Sequence, residues 1–131
     1  MRAIDSSAIV KYYVREPGWE RVREVMREGV VTLNFAVVEV ANALWKKVVR
    51  NEMSIDIAKE IIEDLIIRKA IFLEPFENYV TDALRIGAQH RITVYDALFI
   101  AFALKRGLEL VTADERQAEV AKALGVRVVL V

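Results

Sequence analysis

The sequence contains no cysteine, which removes thiol nucleophiles, cysteine-type zinc clusters and disulfide staples at once. It is also poor in histidine: His90, between Gln89 and Arg91 at the end of a predicted helix, is the only one, and a surface position without a catalytic role is expected for it. No charge of one sign dominates. The 19 Lys and Arg balance 19 Asp and Glu, so the electrostatic footprint of a general DNA-binding protein is missing, although a local basic patch is still allowed. No apolar run reaches the ~18 residues needed to span a bilayer. Met1-Arg2 leads directly into Ala3-Ile4-Asp5 without a basic segment and a long apolar stretch, so a cytoplasmic protein without a signal peptide is the expectation. Repeats, low-complexity tracts and interdomain linkers are absent too.

What is present is a chain of 131 residues, 55% of them hydrophobic. That length is expected to form a single domain, 1–131, burying roughly two-thirds of its unfolded surface. Short apolar segments alternate with helical ones. Strands are predicted at Arg2–Ile4, Val30–Leu33, Ile71–Leu73, Leu108–Val111 and Val126–Val131. Between them, helices are predicted at Ala8–Tyr13, Trp19–Glu28, Phe35–Arg50 with Asn34 as N-cap, Ser54–Arg68 with Ser54 as N-cap, Asn78–His90, Thr93–Arg106 and Glu115–Leu124. The fourth should turn Ile57, Ala58, Ile61, Ile62, Leu65 and Ile66 inward, and the fifth Val80, Leu84, Ile86 and Ala88. No hairpin turns join the strands, so a parallel sheet covered on both faces is expected.

Thr93–Arg106, TVYDALFIAFALKR, is the most apolar run and is expected to lie in the interior. Asp96 interrupts it in its first turn. Thr93-x-x-Asp96 fits a variant of the capping box, and an acid there also suits the helix dipole. Glu39 likewise interrupts an apolar helix, in what is expected to be its first turn, sharing a face with Asn42 and Lys46. Asp5 ends the first strand, and Asp114 follows the fourth after Thr112. Capping by Asp5 or Asp114, and pairing of Glu39 with Lys46, each account for one acid. Capping does not require four acids to interrupt apolar segments at the carboxyl edge of a sheet, where ligands bind in this fold class. Massed carboxylates repel unless protonated or bound to a cation, and Mg²⁺ or Mn²⁺ held by oxygen ligands removes the conflict.

Asp5 with Ser6-Ser7, Glu39 in VVEVANALWK, Asp96 in TVYDALFIAFA and Asp114 in VTADE resemble the PIN domain, particularly its VapC-type toxin ribonucleases, over essentially the whole chain. The resemblance implies a three-layer α/β/α sandwich with a five-stranded parallel sheet of order 3-2-1-4-5. It implies that Asp5, Glu39, Asp96 and Asp114 are the catalytic, metal-binding acids. Ser6 and Thr112 match small hydroxyl residues that support the first and fourth acids, and Asn42 lies one turn from Glu39. The implied activity is Mg²⁺- or Mn²⁺-dependent hydrolysis of RNA, with a small antitoxin as partner and a homodimer as the assembly. Arg116 stands where some PIN nucleases carry a further aspartate, and Glu115 is expected to cap its own helix with Thr112.

Lys11, Arg15, Lys46, Lys47 and Arg91 are candidates to offset the repulsion between the acids and RNA. Tyr12, Tyr13, Trp19 and Trp45 are candidates for partner surfaces or for the core. A PIN-like scaffold that binds RNA or protein without cutting is the main alternative. A phosphatase or phosphoacceptor domain fits less well, since the first lacks an Asp-x-Asp pair after strand one and both need a placed lysine.

Overall fold

The computed structural model describes residues 1–131. Its five strands are β1 (Arg2–Ile4), β2 (Val30–Leu33), β3 (Phe72–Glu74), β4 (Leu110–Thr112) and β5 (Val128–Leu130). They form one parallel sheet of order β3-β2-β1-β4-β5, the order implied by the resemblance. Seven α-helices connect them: α1 (Ser6–Val14), α2 (Trp19–Arg27), α3 (Phe35–Val49), α4 (Ile55–Ile66), α5 (Val80–His90), α6 (Val94–Arg106) and α7 (Glu115–Ala123). A 3-10 turn, Phe76–Tyr79, precedes α5. Helices α1 to α4 pack as one group and α5 to α7 as another, as right-handed crossovers require when the chain first moves β1 to β3 and then crosses to β4 and β5. The strand order therefore reverses between β1 and β4.

The interior position of α6 is as expected. Residues Ala97 to Ala103 are buried without interruption, because this helix lies across the centre of the sheet, against β1, β2 and β4. Thr93 caps it by accepting the Asp96 N–H at 3.2 Å, and Gly107 closes it at φ 64°. That cap fixes where Asp96 emerges. Ser54 caps α4 as expected, accepting from the Ile57 N–H at 3.2 Å.

Other expectations need correction. Asn34 does not cap α3: it takes a helical conformation, and its Oδ1 accepts instead from the Phe76 N–H. Strand β3 begins one residue later than expected because Ile71 is core while Phe72 projects from the edge strand, 68% exposed. In α4 the inner stripe is Ala58, Ile61 and Leu65, with Ile57 and Ile66 exposed. In α5 the inner face is Ala83, Ile86 and Gly87, while Leu84, Val80 and Ala88 face out. Gly87 belongs to that face because it has no side chain, not because it is hydrophobic. The α5–α6 connection turns so tightly that a Cβ on Gly87 would sit 2.9 Å from the Ile92 carbonyl oxygen.

Gly87→Ala tests this packing. Alanine improves helix propensity by ~1 kcal/mol, but overpacking against backbone typically costs ~1–3 kcal/mol. Urea unfolding is expected to show a net loss of stability; a gain would mean that the turn has slack.

Candidate active site

The site is built around Asp5, which leaves the carboxyl end of the central strand β1 and caps α1. Its side chain is 1% exposed. Oδ1 accepts from the Ala8 N–H at 3.0 Å and the Ser7 hydroxyl at 2.7 Å, and Oδ2 accepts from the hydroxyl of buried Thr112. Thr112 Oγ1 in turn accepts from the Asp114 N–H at 3.0 Å, and Ser7 Oγ from the Ala113 N–H at 2.9 Å. The turns after β1 and β4 are thus stitched together at the reversal of strand order, the place where open α/β sheets bind ligands. Burial pushes the Asp5 carboxyl up to about 6, outweighing the three hydrogen bonds that favour its charge, and the field of Asp114 adds to the rise.

Glu39 lies in the second turn of α3 rather than the first, half-buried, and accepts from Ser6 Oγ at 2.6 Å. Its carboxyl is raised by burial and by the fields of Asp96 and Asp5, against the opposing Ser6 bond. Asp96, in the first turn of α6, is raised by burial and by Asp114. Asp114 caps α7 by accepting from the Arg116 N–H at 2.9 Å and the Gln117 N–H at 3.2 Å. The capping box expected from Thr112 and Glu115 does not form, since the Thr112 hydroxyl is taken by Asp5 and Asp114.

All four acids line one cavity of about 540 Å³, together with Ser6, Ser7, Asn42, Lys46, Gln117 and Glu16 among others. Lys46 is its only cation. None of the four acids takes part in any of the ion pairs, so the pairing of Glu39 with Lys46 does not occur. As they stand, no three of the carboxylates close round a point, because Glu39 is drawn to Ser6 and Asp114 to its own helix. The donor set nevertheless fits a hard divalent ion in chemistry and charge: oxygen ligands only, mutually repelling, partly desolvated and outside any ion pair.

Placement of the supporting residues differs in detail from the resemblance. Ser6 turns to Glu39, not to Asp5; the hydroxyl partners of Asp5 are Thr112 and Ser7, the latter passed over by sequence reasoning. Gln117 was also missed: it is 3% exposed, and its Nε2 donates to the Asp96 carbonyl at 3.1 Å, tying α7 to α6. Glu16 adds a fifth carboxylate to the lining. Of the other cationic candidates, Lys47 pairs with Glu52 at 3.9 Å and Arg15 lies over the Trp19 ring. The Arg116 guanidinium, in the place of the further aspartate, donates to the His90 carbonyl at 3.1 Å.

The burial of Asp5 predicts a pH signature in the presence of a chelator. Its folded carboxyl titrates at about 6, against an ordinary 3.8 when unfolded, so the folded state binds more protons between those values. Stability is therefore lost as pH rises through that window. Asn at this position carries no charge and shows no such loss. The unfolding free energy of Asp5→Asn minus wild type should rise by about 2 kcal/mol between about pH 4 and about pH 7; a flat difference would contradict the assignment.

Comparison with known proteins places this architecture. The PIN domain matches residues 3–123. Ribonuclease VapC3 of Pyrobaculum aerophilum is 36% identical over 119 residues, which cover 88% of this chain and 91% of that protein. Among solved structures, PAE2754 from the same organism superposes with a TM-score of 0.75 at 23% identity, covering 97% of this chain and 89% of that one. A toxin-antitoxin complex from Klebsiella pneumoniae contains a chain with a TM-score of 0.62 at 11% identity, with 90% of each chain covered. At such identities the two structures speak for the fold, whereas the family rests on the sequence matches. The chain belongs to the PIN domain family.

Proposed function

We propose that this protein is a Mg²⁺- or Mn²⁺-dependent endoribonuclease of the VapC type that hydrolyses RNA phosphodiester bonds at the acid cavity. The observation that carries the reading is the set of four carboxylates lining one cavity, three of them held protonated to higher pH than usual and none in an ion pair. Its relative Ribonuclease VapC3 supports the substrate class. In this reading Asp5, Glu39, Asp96 and Asp114 hold the ion, which when bound supplies a Lewis acid for the scissile phosphate and lowers the cost of ionising water.

The chain's own contributions follow from the hydrogen bonds. Thr112, Ser7 and the Ala8 N–H fix Asp5, so its carboxylate needs little reorganisation when charge is placed beside it. Ser6 orients Glu39, and Gln117 anchors the first turn of α6 from which Asp96 projects. Glu39 and Asp96 are half-buried, and burial together with the neighbouring carboxylates makes each keep its proton to higher pH than an ordinary carboxylate, a repulsion that a bound cation would relieve. Lys46 and Asn42 stand at the rim where a phosphate would approach. Their positive charge and amide donor offset part of the repulsion between a carboxylate-lined cavity and a polyanion.

The same reading includes a small antitoxin as partner, after the toxin-antitoxin complex of similar fold, and a homodimer. Trp45 on α3 is 57% exposed beside an apolar groove of about 300 Å³ shared with α4, whereas Tyr12 and Tyr13 pack against the core. A second reading is a PIN-like scaffold that binds RNA or protein without cutting.

Two measurements separate them. Millimolar Mn²⁺ should raise the melting temperature of the wild type and support cleavage of labelled single-stranded RNA. Asp96→Asn and Asp114→Asn should reduce cleavage by more than ~100-fold, beyond what loss of an outer hydrogen-bonding partner causes, with circular dichroism unchanged. Thermal stabilisation without cleavage would favour the scaffold, and neither effect would dismiss the metal site.

A further inference from the structure

The acid cavity continues into a second, smaller one whose character is different. This neighbour, of about 370 Å³, is lined by Phe35, Val38, Glu39, Asn42 and Tyr95, and shares Glu39 and Asn42 with the acid cavity. Phe35 opens α3 and Tyr95 is the second residue of α6, so the two helix starts that present Glu39 and Asp96 also present these rings. The rings lie parallel, 13° apart in plane with centroids 5.4 Å apart. Phe76 also packs on Phe35, its ring tilted by 58° at 5.6 Å. Tyr95 is nonetheless 58% exposed, and Val38 beside it 63%.

An ordered aromatic pair ending in a largely exposed tyrosine, immediately beside an acid site, is not explained by core packing. No hydrogen bond holds the Tyr95 hydroxyl. Flat π-faces of this kind accept an unpaired base of single-stranded nucleic acid, and stacking is tolerant of base identity. The lining also offers a polar group for a base edge, Asn42, as both donor and acceptor. It contains no cation, so it suits a base rather than a backbone phosphate. We infer that the Phe35–Tyr95 shelf seats an unstacked nucleobase of the single-stranded RNA whose phosphate lies at the acid cavity. The inference rests on the ribonuclease reading for the identity of its ligand, and makes Tyr95 a substrate-positioning residue that selects against duplex RNA.

The test uses fluorescence anisotropy with an oligoribonucleotide of about eight nucleotides, carrying one abasic site moved stepwise along the strand. The Asp5→Asn protein keeps the strand intact, which a gel verifies. At one position the abasic substitution should weaken binding by roughly 5- to 100-fold. Tyr95→Ala should weaken the intact strand by a similar factor and be insensitive to that abasic site, whereas Tyr95→Trp should retain the sensitivity. Duplex RNA should bind less tightly than the single strand. The inference is overturned if Tyr95→Ala binds as its parent does, if the abasic penalty is unchanged in that variant, or if no RNA binds. It is also overturned if Tyr95→Ala merely dissociates an oligomer in sedimentation while the abasic scan is unaltered, since the shelf is then a protein contact. Failure of wild type to cleave any strand dismisses the nuclease activity without altering the abasic scan, so the two claims fail separately.

Discussion

The burial of one carboxylate at the end of the central strand is the constraint on which the rest of the structure turns. Asp5 lies where the sheet order reverses, 1% exposed and in no ion pair. A desolvated charge of that kind is tolerated only if donors surround it. Those donors come from two separate connections: Ser7 and the Ala8 N–H after β1, and Thr112 after β4. The need to satisfy Asp5 therefore locks together the two turns whose relative position shapes the cavity. The backbone bond from the Asp5 N–H to the Val111 carbonyl, 3.0 Å, extends the parallel ladder up to that point.

From this centre the remaining acids are arranged by helix starts. Asp96 projects from the first turn of α6, Asp114 is the N-cap of α7, and Glu39 projects from the second turn of α3. Each is partly satisfied by a local group, which explains how four carboxylates coexist without closing on one another. Their mutual fields remain: Asp114 raises Asp5 and Asp96, while Asp96 and Asp5 raise Glu39. Repulsion left standing in a folded protein is an expenditure of stability, and a site that gains a cation on binding recovers it.

Much of this was legible in the sequence, for reasons that separate local from tertiary causes. The alternation of short apolar strands with helices, the interior position of α6 and the caps at Thr93 and Ser54 depend on nearby residues and could be read directly. The strand order was implied by the resemblance and not by any pattern of residues. Asn34 was misread because its side chain serves Phe76, 42 residues away, across β3. The inner face of α5 was misread because hydrophobicity favours Leu84 over Gly87, whereas close approach to the α6 entry favours the residue without a side chain. At the site, the acids interrupting apolar runs were visible, but the division of labour between Ser6 and Ser7 was not. One residue along a helix rotates a side chain by about 100°, and only the packed turn decides which hydroxyl meets Asp5. Gln117 gave no signal, because its role depends on the Asp96 carbonyl of another helix.

The central claim is that these four carboxylates form a site for a hard divalent cation. Anomalous diffraction from crystals equilibrated with Mn²⁺ tests it most directly. The account predicts a manganese peak inside the cavity bounded by Asp5, Glu39, Asp96 and Asp114, within coordination distance of carboxylate oxygens from at least two of them. A well-ordered crystal at millimolar Mn²⁺ with no peak in that cavity, or with manganese only at surface carboxylates such as Glu60 or Asp82, would contradict it.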